Sequence, residues 1–147
     1  MPLNPAGLQS DLEMLFASPP ATAAACAQAW ADAVGSYAAG LVPASTTVAA
    51  ATAALVAPLQ SAFESPSAAS PIDDAFAVFA AAVAAGQLPL FAGVAPAAPL
   101  GIASLLSVTR ETHAEAAAAF AALIDGWLRT GTATLVLPPN TLVPAWT

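Results

Sequence analysis

The chain has 147 residues, of which 59% are apolar and only 7% charged, where a typical soluble domain carries about 25% charged residues. It has no lysine, and its two basic residues, Arg110 and Arg129, face nine acids for a formal charge of −7; this excludes nucleic-acid and anionic-lipid binding, which need clustered cations. A single cysteine, Cys26, excludes an internal disulfide.

The length suits one domain with a real core. The opening, MPLNPAGLQSDLEM, has no basic segment and carries acids early, so it does not read as a signal peptide. Helices are predicted over 5–17, 20–39, 46–63, 71–85, 100–107 and 111–130. Their starts are marked by Asn4-Pro5, Ser18-Pro19, Ser65-Pro66 and Ser70-Pro71, each a good cap before a proline. Asp73 and Asp74 suit the positive end of a helix dipole. Thr112 with Glu115 has capping-box spacing, with Thr109 as a competing cap. Gly40, Gly86 and Gly131 follow long apolar-periodic runs, as terminating glycines do.

Each helix carries an apolar stripe at helical spacing. Cys26, Trp30, Val34, Tyr37 and Leu41 form one; Val48, Leu55, Leu59 and Phe63 another. Ile72, Phe76, Phe79 and Val83 form the third, and Phe120, Leu123, Ile124, Trp127 and Leu128 the last. The fold class expected is therefore an all-α, alanine-rich bundle of about six helices. Three segments echo one another: AWADAVGSYAAG (29–40), AFAVFAAAVAAG (75–86) and AFAALIDGWLRTG (119–131). Their aromatics fall at 30, 76 and 120, and LQSDLEMLFASP, LQSAFESP and IASLLSVT lie upstream. This suggests three short-helix-plus-long-helix units of about 45 residues (5–45, 46–100, 101–131) within a helical domain 1–130. The alternative is that alanine-rich helices resemble one another by composition.

Two segments look made for contact. The loop QLPLFAGVAPAAPL (87–100) is long, proline-rich and apolar, with Leu88, Leu90, Phe91 and Val94 as candidate anchors. It either meets a partner or lies over the bundle's own end. The tail 131–147, GTATLVLPPNTLVPAWT, alternates Thr132, Thr134, Val136 with Ala133, Leu135, Leu137 and reads as a β-prone extended arm. With no second strand foreseen in the chain, its backbone would pair with another molecule; the alternative is a terminus that frays or packs on its own chain. Leu135, Leu137, Val143 and Trp146 would be its contacts, with Trp146 as anchor. Deleting 132–147 should then leave the helices intact and abolish assembly.

No catalytic, cofactor or metal site is expected. His113 lies between Glu111 and Glu115, but the two acids share a helical face from which His113 points away, and there is no second histidine. Asp73 and Asp74 are adjacent and face apart. Cys26 has no cation nearby to activate it. Asp125 and Arg129 form an i, i+4 surface pair. GxGxxG, GxxxxGK[ST], GxSxG and HExxH do not occur. Charge-free stretches from Ala33 to Phe63 and from Ala75 to Thr109 are long enough to span a membrane. Pro43, Pro58, Pro89, Pro96 and Pro99 interrupt them and no cations flank them, so no span is expected.

The opening MPLNPAGLQSDLEMLFASP and the run AAAAFAALIDGWLRTGTATL resemble small alanine-rich structural proteins of tailed bacteriophages and prophages, in a match over about residues 3–19 and 114–137. Trp127 stands where those proteins more usually have tyrosine. The resemblance implies a non-enzymatic virion component of the neck, tail or baseplate, assembled in the host bacterial cytoplasm. Its partners would be copies of itself and other virion proteins, with no small-molecule ligand. Acidic, alanine-rich hairpins also resemble secreted proteins of the mycobacterial specialised-secretion type, whose Trp-x-Gly and Tyr-x-x-x-Asp/Glu marks are missing here: the tryptophans read WAD, WLR and WT, and Leu41 lies four residues after Tyr37. A small-molecule-binding helical bundle is a third class.

Overall fold

A computed structural model describes residues 2–65, 67, 69–137, 142–143 and 145–147, with backbone alone for 142–143. Six helices make up most of it: α1 Pro5–Ala17, α2 Ala23–Ala38, α3 Val48–Glu64, α4 Ala69–Ala85, α5 Ala103–Leu106 and α6 His113–Leu128. Three short strands, β1 Phe91–Val94, β2 Thr132–Leu135 and β3 Leu142–Val143, form an antiparallel sheet in the order β1-β2-β3.

The helix starts show which caps win. Asn4 accepts from the Gly7 amide at 3.2 Å, with Pro5 at the first helical position. α2 begins later than Ser18-Pro19 suggests. Pro20 disfavours helical backbone at Pro19, and Thr22 takes over as cap, accepting from Ala25 at 3.1 Å. Thr112 caps α6 through Glu115 at 3.1 Å. Glu115 in turn accepts from the Glu111 amide at 3.2 Å, one residue earlier than a capping box requires. Ser65 is the C-cap of α3 rather than the start of a helix, and Pro66 lies outside the described residues. Pro71 falls in the first turn of α4, where its missing N–H has no partner to lose. Asp73 accepts from the Ile102 amide at 3.1 Å and so holds the segment leading into α5.

Among the described residues positive φ occurs at Gly101 and at neither Gly40, Gly86 nor Gly131. The helix-ending glycines are therefore not left-handed caps, and two of them are explained by close approach. A Cβ on Gly86 would collide with Thr47 and Ser45. A Cβ on Gly131 would come within 2.5 Å of the Trp146 ring.

The four stripes meet in one core that includes Trp30, Val34, Tyr37, Leu55, Leu59, Phe76, Phe79, Ile124 and Trp127. α2 packs along α3, α3 along α4, and α1 along both α2 and α6. Buried alanines such as Ala27, Ala31, Ala80 and Ala121 let these backbones come close. α5 has four residues where α1 and α3 have 13 and 17, and it touches α4. The last pair of helices thus differs from the α1–α2 and α3–α4 hairpins.

The tail departs most from expectation. Its second strand does exist in the chain, inside the 87–100 loop: β1 pairs with β2 in the register Phe91↔Leu135, Ala92↔Thr134, Gly93↔Ala133 and Val94↔Thr132. Trp146 is fully buried in its own chain. Its amide donates to the Gly131 carbonyl at 3.0 Å and its indole Nε1 to the Thr132 carbonyl at 3.1 Å. Thr147 and Val42 exchange backbone hydrogen bonds at 2.8 and 3.2 Å, which ties the tail to the turn after α2. Deletion of 132–147 would thus remove a core tryptophan along with the strand. Trp146→Ala should cost about 3–5 kcal/mol in urea unfolding, and Gly131→Ala about 1–3 kcal/mol through the clash with the ring. A change below about 0.5 kcal/mol in both would show that the indole does not occupy this place.

Candidate functional site

The residues singled out for chemistry do not gather. His113, Glu111 and Glu115 are exposed at the α6 start, and Asp74 is exposed while Asp73 is engaged with Ile102. Cys26 is half-buried and its thiol pKa is raised by that burial, the opposite of activation. Among the described residues no three His, Cys, Asp or Glu side chains are grouped to hold a metal, and no helix is long and apolar enough to cross a membrane.

One polar cluster went unforeseen. The Tyr37 hydroxyl donates to the Asp125 carboxylate, which also accepts from Arg129 Nε at 2.9 Å. Arg129 reaches the Leu3 carbonyl at 3.5 Å. The i, i+4 pair is thus the base of a tie between α2, α6 and the N-terminal segment. Sequence spacing shows the pair but not the tyrosine, 88 residues away. The cluster joins α2, α6 and the N-terminal segment.

The two segments expected to make contacts come together as one surface. The Val136 amide donates to the Leu90 carbonyl at 3.0 Å, which extends the β1–β2 register by one pair. Side chains alternate across a strand. Leu90, Ala92 and Val94 therefore share a face with Thr132, Thr134 and Val136, and Phe91 and Gly93 share the other with Ala133 and Leu135. Burial follows this division. Leu90 and Val94 are each 59% exposed and Val136 46%, while Ala133 is fully buried and Phe91 and Leu135 half-buried. Leu88 and Leu137, just outside the two strands, are 56% and 62% exposed.

The inner face leans on α4. A Cβ at Gly93 would collide with the Gln87 side chain and the Ala84 carbonyl, so glycine lets the strand sit this close. Gln87 is itself buried and donates to the Pro43 carbonyl at 2.8 Å.

Of the eight candidate contacts, Leu88, Leu90, Val94 and Leu137 stand on the exposed surface. Phe91 and Leu135 turn inward. Trp146 is core, which overturns its role as a partner anchor; the Val143 side chain lies outside the described residues. Val136 and Ala92 join the surface. The alternation around Val136 was visible, but the choice of face needed the register with β1.

The Tyr37 phenol has its pKa raised, first by burial and then by its bond to the Asp125 carboxylate. Its stabilising share is complete below about 10, the value for an unfolded tyrosine, and is lost as pH climbs beyond it. Stability should fall more steeply above pH ~10 in the native chain than in Tyr37→Phe, which at neutral pH should cost about 1–3 kcal/mol. Parallel pH profiles in urea titrations would contradict this tie. No family model, curated protein or solved structure matches the chain.

Proposed function

We propose that the chain is a non-enzymatic assembly protein that docks onto neighbouring copies of itself through the outer face of the β1–β2 sheet. The observation that carries this reading is the outer strand face with Leu90, Val94 and Val136, each more than 45% exposed, with exposed Leu88 and Leu137 just beyond the strands. A small domain gains nothing by showing water this many large aliphatic side chains on one short sheet.

Charge supports the same surface. Residues 33–63, 75–109 and 130–147 contain no charged side chain, and the remaining residues carry the net −7. Two copies meeting through this face bring no like charges into contact. The 132–147 segment then acts by shaping the docking surface rather than by reaching out as an arm. The three helical units remain part of the proposal: α1–α2 and α3–α4 would be two copies of one hairpin, with α6 as the long helix of a third whose partner has shrunk to α5.

The resemblance of both ends to structural proteins of tailed phages makes the virion the assembly in question, in the neck, tail or baseplate. Mass spectrometry on particles banded by density from the source culture should recover the chain in many stoichiometric copies. Recovery only from free protein in lysate or medium would contradict the virion reading.

For the surface itself, Leu90→Asp should weaken self-association about tenfold or more by placing a charge in an apolar contact. It should leave unfolding stability within about 0.5 kcal/mol, since the side chain is exposed. Sedimentation velocity across a concentration series reads the first and urea titration the second. Equal association of variant and native chain would rule this face out.

A further inference from the structure

We propose that the cleft between α3, α4 and α6, roofed by the α5 segment, binds a small, uncharged, apolar molecule. α6 packs along α1, and large side chains connect it to the other helices, with Phe76 of α4 edge-on to Trp127 at 6.2 Å between ring centroids. Trp30 packs edge-on to Phe120 at 5.3 Å between ring centroids and lies 6.2 Å from Phe63. Beside these rings a space of about 210 Å³ is left, closed further by Leu59, Ile72, Ile102 and Leu106.

Six of these seven side chains are pure hydrocarbon and the seventh is an indole. A charged or strongly polar guest would lose its hydration there without a partner. No carboxylate lines the space to favour a cation over the rings. An enclosed apolar cavity of roughly 150 Å³ takes up benzene; the space here is a cleft open on its α5 side, where Leu106 is 52% exposed. The present space of about 210 Å³ has room for a substituted benzene or a branched alkane of similar bulk.

The entrance is equally specific. α5 has no buried residue of its own, and Leu106 is 52% exposed while lining the cleft. The segment is pinned at one side by Ile102, which is buried and bonded to Asp73. Phe63 and Phe120 remain only half-buried although both touch the aromatic cluster, and a guest would cover them. This departs from the expectation that no small ligand is taken. It concerns a different surface from the β1–β2 face, so either proposal can fail alone.

Toluene is the probe, with benzoate and tetramethylammonium as charged controls. Near aqueous saturation, toluene should raise the unfolding temperature of the native chain by about 2–6 °C. Its chemical-shift changes should be confined to Trp30, Phe63, Ile72 and Phe120. Leu106→Trp, a change at an exposed position, should keep the fold and abolish both responses by filling the entrance. Four results would overturn the proposal: no thermal shift and no spectral change in the native chain, an undiminished response in Leu106→Trp, an equal response to either charged control, or spectral changes centred on Leu88 and Leu90.

Discussion

The arrangement depends on one contact: the indole of Trp146 against the bare backbone of Gly131. A chain that ends in an uncharged, threonine- and valine-rich segment must give those backbone groups partners. Here the segment turns back on itself. Trp146 supplies the anchor by filling the space that any side chain at 131 would take, and it bonds to both Gly131 and Thr132. Trp146 is thus fixed beside the start of β2, and Thr147 is fixed on Val42. β2 is then in place to pair with β1, and β1 is drawn onto α4 because Gly93 allows it.

Much of the helical part was legible because its signals are local. Apolar stripes at 3.6-residue spacing do not need a partner to be recognised, and Asn4-Pro5 and Thr112 act as caps where the sequence places them. Local signals misled where two of them competed. Ser18-Pro19 looks like a helix start, but Pro20 and Thr22 move it by several residues. Gly131 looks like a cap, and its reason for being glycine lies 15 positions away in Trp146.

The candidate surface was half legible for a related reason. The 87–100 loop and the tail each stand out as apolar and uncharged. What no local pattern reveals is that they are each other's missing strand. Once the register is known, period two assigns every residue to a face. Phe91 and Leu135 leave the surface and Val136 enters it. Tyr37 joining Asp125 and Arg129 is the same kind of non-local fact. In a chain with so few charges, such a cluster locks helices together where alanine stripes alone leave register loosely specified.

Pairing of β1 with β2 within one chain, and a docking face made by that pairing, can be tested by hydrogen exchange resolved to single amides, measured on dilute chain and again on the assembled form. Intrachain pairing predicts that amides within 91–94 and 132–136 are already protected at dilution and stay protected on assembly. Amides in both segments that exchange at open-loop rates at dilution and become protected only on assembly would contradict it, and would make the tail an arm that pairs with another molecule.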